Sequence, residues 1–171
     1  MQTLSVFRRP LALCLPQADI DMQSGTLHAE DHDYATACSY FFEAFEALSG
    51  LNDARAVMSL KYMLLCKVME GSASEVPGII ASKGGLKWAG PNIDAMRDVA
   101  KASQERSLEL FQKALESYRT ELREDLLVFN HLEELRNKLL EENIQKASAA
   151  AAKQGAHGRR CVDGAFMSPI E

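Results

Sequence analysis

Closely spaced cysteines, a basic face and long apolar runs are all missing from this sequence of 171 residues. The four cysteines, Cys14, Cys38, Cys66 and Cys161, lie far apart. Neither a disulfide framework nor a C-x-x-C motif is therefore predicted, and a reducing compartment fits best. Cys38 and Cys66 fall within apolar helical patterns, where a free thiol behaves as a small hydrophobic group.

The charge balance argues against a nucleic-acid partner. The chain carries 24 acidic and 19 basic residues and a formal net charge of −5, whereas nucleic-acid binders usually show a basic face. The only tight basic doublets, Arg8-Arg9 and Arg159-Arg160, lie near the two ends of the sequence. We interpret both as solvated tail residues.

The hydropathy pattern argues against a membrane partner. No apolar run approaches the ~20 residues that a bilayer-spanning helix needs. The apolar stretch 11–15 follows Pro10 and is shorter than the ~7–15 residues of a signal-peptide core, so no cleaved targeting peptide is expected. Residues 1–16 are predicted to be a disordered N-terminal tail.

The middle of the chain shows helical rather than strand periodicity. Tyr34, Cys38, Phe41 and Phe45 are spaced by four, three and four residues, which is typical of one face of an amphipathic helix. Valine and isoleucine are too scattered to build a sheet. The sequence therefore predicts an all-α fold.

The stretch 53–69 is apolar on nearly every side. Such a helix packs from several directions, so we expect it to be the central element, with Lys61 as one of few polar interruptions. Gly50, in a left-handed conformation, is expected to end the preceding helix, and Gly71 to end this one.

Further helices are expected up to about residue 144. They are placed at 76–82, 86–89, 92–102, 105–125 and 125–144. Residues 17–146 are predicted to form one helical-repeat domain, followed by a largely disordered Ala/Gly-rich tail at 147–171, whose alanines could extend a helix briefly. The structural core is predicted to contain Tyr34, Phe41, Phe45, Leu60, Leu64, Phe111, Leu115, Tyr118, Leu132 and Leu139.

Two helical segments resemble each other, SYFFEAFEAL (39–48) and ELFQKALESY (109–118). Phe41 aligns with Phe111, and both segments have alanine three positions later. The offset is close to twice the ~34-residue tetratricopeptide period. A small residue lets a partner helix approach and an aromatic ring fills the groove, which favours stacked antiparallel hairpins of a tetratricopeptide-like solenoid. The alternative is a chance agreement between two amphipathic helices.

Four stretches carry a family resemblance: SYFFEAFEAL, SLKYMLLCKVM, SLELFQKALESYRTELRED and HLEELRNKLLEENI. They resemble the family of 26S proteasome non-ATPase regulatory subunit 11. The members of this family are PCI-domain subunits of the regulatory lid. The resemblance runs from about Ala18 to Ile144. SLKYMLLCKVM is its most specific part, because simple amphipathicity does not account for this string.

The resemblance implies a non-catalytic structural scaffold. Family members carry a long helical solenoid, then a PCI module with further helical repeats, a winged helix and a C-terminal helix. Most of that solenoid has no counterpart before Ala18, and the winged helix has none after Ile144. The implied role is in proteasome assembly and ubiquitin-dependent protein degradation, through contacts with other lid subunits in the cytoplasm and nucleus.

Motifs for catalysis, cofactors or metals are not convincing in this sequence. His28 and His32 have the spacing of zinc ligands on a helix, but a solvent-exposed pair is expected. The segment 83–85, Lys-Gly-Gly, lacks the spacing of a phosphate-binding loop. Trp88 is either an interface anchor or, as we favour, partly buried in the local fold. We expect no enzyme activity, no cofactor, no metal and no small-molecule substrate.

Two other functional interpretations stay open. The chain could be a free-standing tetratricopeptide-like adaptor that binds a peptide, or a truncated fragment without function. A concave face lined by Lys, Arg and Asn would favour peptide capture, whereas apolar end faces would favour stacking into a longer scaffold.

Overall fold

Helices make up nearly all of the region that the computed structural model describes, which is the backbone of residues 11–158 and the side chains of residues 15–149. No strand occurs among these residues, so the predicted all-α class is confirmed. The helices are α1 (Leu11–Glu30), α2 (Tyr34–Gly50), α3 (Ala56–Glu70), a 3-10 turn (Ala73–Glu75), α4 (Val76–Ile80), α5 (Lys83–Lys87), α6 (Pro91–Glu105), α7 (Leu108–Ser117), α8 (Arg119–Arg123) and α9 (Leu126–Gly158).

The first three helices form successive antiparallel hairpins, since α1 packs along α2 and α2 along α3. Asp33 caps α2 by accepting a hydrogen bond from the backbone N–H of Thr36 at 3.2 Å. The turns use left-handed backbone at His32 (φ 62°) and Asn52 (φ 56°). The prediction that Gly50 would be left-handed is wrong, because α2 continues through Gly50 and the reversal falls on Asn52, a residue type that tolerates this region.

Helices α1 and α2 touch most closely at Gly25. A Cβ atom on Gly25 would lie 2.7 Å from the Phe41 ring, and Phe41 is completely buried. The ring therefore has no free space into which it could move. The missing side chain of Gly25 is therefore what allows the two helices to approach this closely.

Helix α3 lies at the centre of the fold, in contact with α2, α4, α6 and α9. Ten of its side chains are buried: Ala56, Ser59, Leu60, Lys61, Met63, Leu64, Leu65, Cys66, Val68 and Met69. Each fully buried leucine contributes about 1.5–3 kcal/mol relative to an exposed one. Gly71 ends the helix with φ of 95°, as predicted from its position.

The second half of the chain begins with a hairpin of α6 and α7. The single helix expected over residues 105–125 is divided, because Tyr118 leaves helical geometry (φ −117°, ψ 44°). Phe111 in α7 and Leu122 in α8 are both completely buried. The break lets α8 turn its leucine toward α6 and α9 while α7 keeps its own packing.

The outer helices extend beyond the expected bounds of the helical region, 17–146. Helix α1 begins at Leu11 and includes Pro16, whose side chain is exposed, so the carbonyl that loses its helical donor can face solvent. Helix α9 continues through the alanine run to Gly158, consistent with the high helix propensity of alanine. Within residues 11–158, no helix combines the length and apolar character that crossing a bilayer requires.

The residues predicted as core lie in two environments. Phe41, Leu60, Leu64 and Phe111 are completely buried, and Phe45, Leu132 and Leu139 are at most 8% exposed. Tyr34, Leu115 and Tyr118 pack against this core but stay partly exposed. The expectations for Arg8-Arg9, Arg159-Arg160, Cys161 and the extreme tails fall outside the described residues.

Replacing Gly25 with alanine is expected to lower the free energy of unfolding by about 1–3 kcal/mol, because overpacking against the Phe41 ring outweighs the gain in helix propensity. Urea denaturation followed by circular dichroism measures this change. Gly78→Ala is the matched control, since a Cβ there meets nothing within 4 Å. Equal stability of the two variants would contradict the close α1–α2 contact.

Stability is expected to fall as the pH rises above about 9, because burial raises the pKa of the Cys66 thiol to about 12. Below pH 9 the thiol is protonated in both states, whereas above it only the unfolded chain loses the proton. The free energy of unfolding then decreases by about 1.4 kcal/mol per pH unit. Cys66→Ala should flatten this slope between pH 9 and 10, and Cys38→Ala should do so less because that thiol is only half-buried.

Candidate functional site

An open groove of about 580 Å³ runs between α2, α3 and α4, and we call it the Phe42 groove. Helix α2 supplies one wall with side chains at helical spacing, including Cys38 and Phe42, and α3 supplies Met63 and Lys67. Phe42 is 44% exposed, which is unusual for a phenylalanine. The lining as a whole is Ala35, Cys38, Ser39, Phe42, Glu43, Met63, Lys67, Glu70, Ile79 and Ser82.

Helix α2 has aromatic side chains on two sides. Phe41 faces the core, where its ring centroid is 5.3 Å from that of Tyr62, and Phe42 faces the groove. Adjacent residues lie ~100° apart around a helix, so both rings cannot enter the same core. The two adjacent phenylalanines are therefore a sequence signal for the groove. The helical spacing of the core residues alone does not assign a function to Phe42.

The rim of the Phe42 groove is charged and held in place. Lys67 pairs with Glu70 at 3.3 Å and with Glu75 at 3.2 Å, which joins α3 to the 3-10 turn. Partial burial raises the pKa of the Cys38 thiol, so that group stays protonated and weakly nucleophilic. The groove is therefore suited to apolar contact rather than to covalent chemistry.

Lys61 is the least expected feature of α3. Its side chain is 2% exposed, and Nζ donates to the carbonyl oxygen of Glu121 at 2.6 Å and lies 3.6 Å from Oδ2 of Asp125. A buried ammonium group is costly unless it is paired. The α8 carbonyl and the carboxylate just before α9 supply that pairing, so Lys61 joins three helices.

Burial sets the ionisation of this cluster. Desolvation lowers the pKa of Lys61, with Asp125 opposing the shift, and burial together with Asp125 raises the pKa of Tyr62. Among the described residues, Oδ2 of Asp125 has no hydrogen-bond partner, and its contact with Lys61 is an ion pair beyond hydrogen-bond length. The cluster acts as a structural link between helices.

A second polar cluster joins the α1–α2 turn to α9. The Tyr34 hydroxyl donates to Oε2 of Glu134 at 3.1 Å and lies 2.8 Å from Nδ1 of His32. His131 is 5% exposed and meets Tyr34 edge to face at 5.6 Å. Burial, followed by the charge of Glu134, raises the pKa of Tyr34.

The histidines with zinc-like spacing do not share a helix face. His28 stacks on Tyr40 with ring centroids 5.4 Å apart, whereas His32 lies in the left-handed turn beyond the end of α1. Within the described part of the chain, no group of three metal-binding side chains comes together.

The region around Trp88 is tied to the end of α2. The indole N–H donates to Oγ of Ser49 at 2.9 Å, and Nζ of Lys87 donates to the Ser49 carbonyl at 2.9 Å. Trp88 is half-buried, as favoured from the sequence. Lys83 and its two glycines form the short helix α5, which Ser82 caps by accepting from the Gly85 N–H.

The outer face of α1 carries two exposed apolar side chains that are seven residues, or about two helical turns, apart. Ile20 is 58% exposed and Leu27 is 63% exposed. Seven residues bring a helix back to nearly the same angle, so both side chains lie on the face turned away from α2. The molecule thus presents apolar side chains at the end of its stack as well as in the Phe42 groove.

Known proteins with a similar sequence are proteasome subunits. The chain is 56% identical over 128 residues to a 26S proteasome non-ATPase regulatory subunit 11 homolog of Arabidopsis thaliana. It is 46% identical over 129 residues to a probable 26S proteasome regulatory subunit of Schizosaccharomyces pombe, and 43% identical over 129 residues to 26S proteasome non-ATPase regulatory subunit 11 of Dictyostelium discoideum. No protein-family model matches the chain.

Each of these alignments covers 75% of the chain. Over that stretch the chain is similar to non-ATPase regulatory subunit 11 proteins of the 26S proteasome. It spans only 30–31% of the length of these relatives. The resemblance predicted from SLKYMLLCKVM and its neighbouring segments is thereby confirmed.

Removing Asp125 should destabilise the fold, because Lys61 would lose the carboxylate with which it is paired. We expect Asp125→Ala to lower the free energy of unfolding by about 2–4 kcal/mol. The double variant Lys61→Met, Asp125→Ala should recover part of this loss, since no unpaired ion is left buried. Additive losses in urea denaturation would contradict a coupled buried pair.

Proposed function

We propose that this chain is a non-catalytic scaffold of the proteasome regulatory-particle lid, which acts in proteasome assembly and ubiquitin-dependent degradation through protein–protein contacts. The observation that carries the proposal is the 56% identity to a regulatory subunit over 128 residues. Other lid subunits are its proposed partners, and the cytoplasm and nucleus its proposed locations. Nucleic acid, membranes and small-molecule substrates are not among the proposed partners.

The internal chemistry of the fold supports a structural role. Lys61 and His131, which are buried, and Asp125, which is partly buried, each contact a group on another helix. Such groups hold helices in register, whereas catalytic groups converge on a cavity where a reacting atom can sit. We infer that the described helices supply shape and contact surface rather than reactive groups.

The exposed apolar surfaces support stacking against neighbouring proteins. Phe42, Ile20 and Leu27 are 44–63% exposed, and apolar side chains of this size gain ~1.5–3 kcal/mol each when fully covered. The Phe42 groove carries one lysine, which is already paired with Glu70 and Glu75. This composition favours helix packing over the Lys/Arg/Asn-lined groove of a peptide adaptor.

Capture of lid subunits should depend on Phe42. Tagged full-length chain expressed in cells is expected to recover named lid subunits, measured by quantitative mass spectrometry. Phe42→Glu should reduce that recovery at least about tenfold, because a carboxylate would be desolvated in an apolar contact. Circular dichroism should stay unchanged, since Phe42 is 44% exposed.

Leu86→Glu is the matched control, because Leu86 is 64% exposed and lies outside the groove. Equal losses in the two variants would mean that the Phe42 groove is not the contact. Failure of the unchanged chain to recover any lid subunit would refute the scaffold proposal and favour a fragment without function.

A further inference from the structure

A second groove, of about 530 Å³, lies between α7, α8 and α9, and we call it the arginine groove. Arg119 and Arg123 enter it from α8, and Arg136 enters it from α9. Glu116 and Glu133 also line it, and Leu115 adds an apolar surface. Three guanidinium groups in one groove stand out in a chain whose net charge is −5.

The arginines of α8 are available to a partner. Both Arg119 and Arg123 are exposed, and among the described residues neither lies within 4 Å of a carboxylate oxygen. Arg136, in contrast, donates to Glu133 at 3.4 Å. Each guanidinium group offers five N–H donors in a rigid fork that matches a carboxylate.

The fold holds these two arginines in fixed positions. The break at Tyr118 starts α8 in a new direction, Leu122 anchors that helix by complete burial, and Lys61 binds the Glu121 carbonyl. Arg119 and Arg123 are one turn apart, so both side chains leave the same face. Because the backbone of α8 is already ordered, the conformational cost of binding at this face is limited to the two arginine side chains.

We propose that the arginine groove binds an acidic segment of a partner protein, whose carboxylates accept hydrogen bonds from Arg119 and Arg123. Charge complementarity favours this occupant, because Arg119 and Arg123 line the groove and form no ion pair with a described carboxylate. Glu116 and Glu133 in the lining disfavour a nucleic-acid backbone, which needs a continuous basic face. The inference goes beyond the scaffold proposal and holds whether or not the chain joins a proteasome.

Fluorescence anisotropy with a labelled octaglutamate peptide and the full-length chain tests this inference directly. We expect binding at low ionic strength that weakens as salt is added. The variant R119E/R123E should bind about tenfold more weakly, since each exposed ion pair contributes up to about fivefold in affinity. R119K/R123K should retain part of the binding, because it keeps the charge and loses the bidentate geometry.

The matched control is K83E/K101E, which makes the same change in net charge on exposed residues of α5 and α6. At about 0.15 M salt this control should change the affinity less than about twofold, because neither lysine lines the arginine groove and exposed charges outside it are largely screened. Equal weakening by both variants would overturn the inference. So would tighter binding of a labelled single-stranded oligonucleotide with the same dependence on Arg119 and Arg123.

If R119E/R123E loses helicity by circular dichroism, R119Q/R123Q replaces it, because it removes the charges without adding repulsion. That variant should still bind the peptide several-fold more weakly than the unchanged chain. Unchanged affinity would then overturn the inference. None of these measurements uses a proteasome component, so their failure is distinct from failure of the scaffold proposal.

Discussion

Helix α3 is surrounded by α2, α4, α6 and α9, and its side chains supply the centre of the hydrophobic core. A helix enclosed in this way cannot place a polar group freely, yet it contains Lys61, which is 2% exposed. The cost of burying that ammonium group is offset only when Glu121 and Asp125 come close to it. Lys61 therefore adds a polar constraint on the positions of α8 and the start of α9, beside the apolar anchors Leu122 and Val128.

The central helix and its neighbours could be predicted because their apolar residues recur at helical spacing. Phe41, Leu60 and Phe111 are all completely buried, and local periodicity is sufficient to nominate such positions. The role of Lys61 could not be predicted in the same way. Its partner Asp125 is distant in sequence, so a local pattern shows only an interruption in an apolar face.

The geometry of the turns also could not be predicted from the local sequence. Glycine is the usual left-handed residue, but Asn52 and Arg106 take that conformation here, and tertiary contacts of α9 support Arg106 through Glu142 at 3.2 Å. The break at Tyr118 likewise has no local signal, because Phe111 and Leu122 keep the helical spacing of one continuous face. The Phe42 groove has a partial sequence signal in two adjacent phenylalanines, whereas the arginine groove depends on how α8 and α9 meet.

Helix α9 spans 33 residues, or about 50 Å at the α-helical rise, and among its described side chains the contacts with earlier elements lie in about its first half. Glu134 accepts from Tyr34 across 100 residues of sequence, and Asn143 donates to the carbonyl of Arg106 across 37. On the ribosome, α1–α8 emerge before this helix and leave part of α3 uncovered. A nascent chain without α9 would therefore expose core leucines of α3, and at that stage chaperone binding or aggregation would compete with folding.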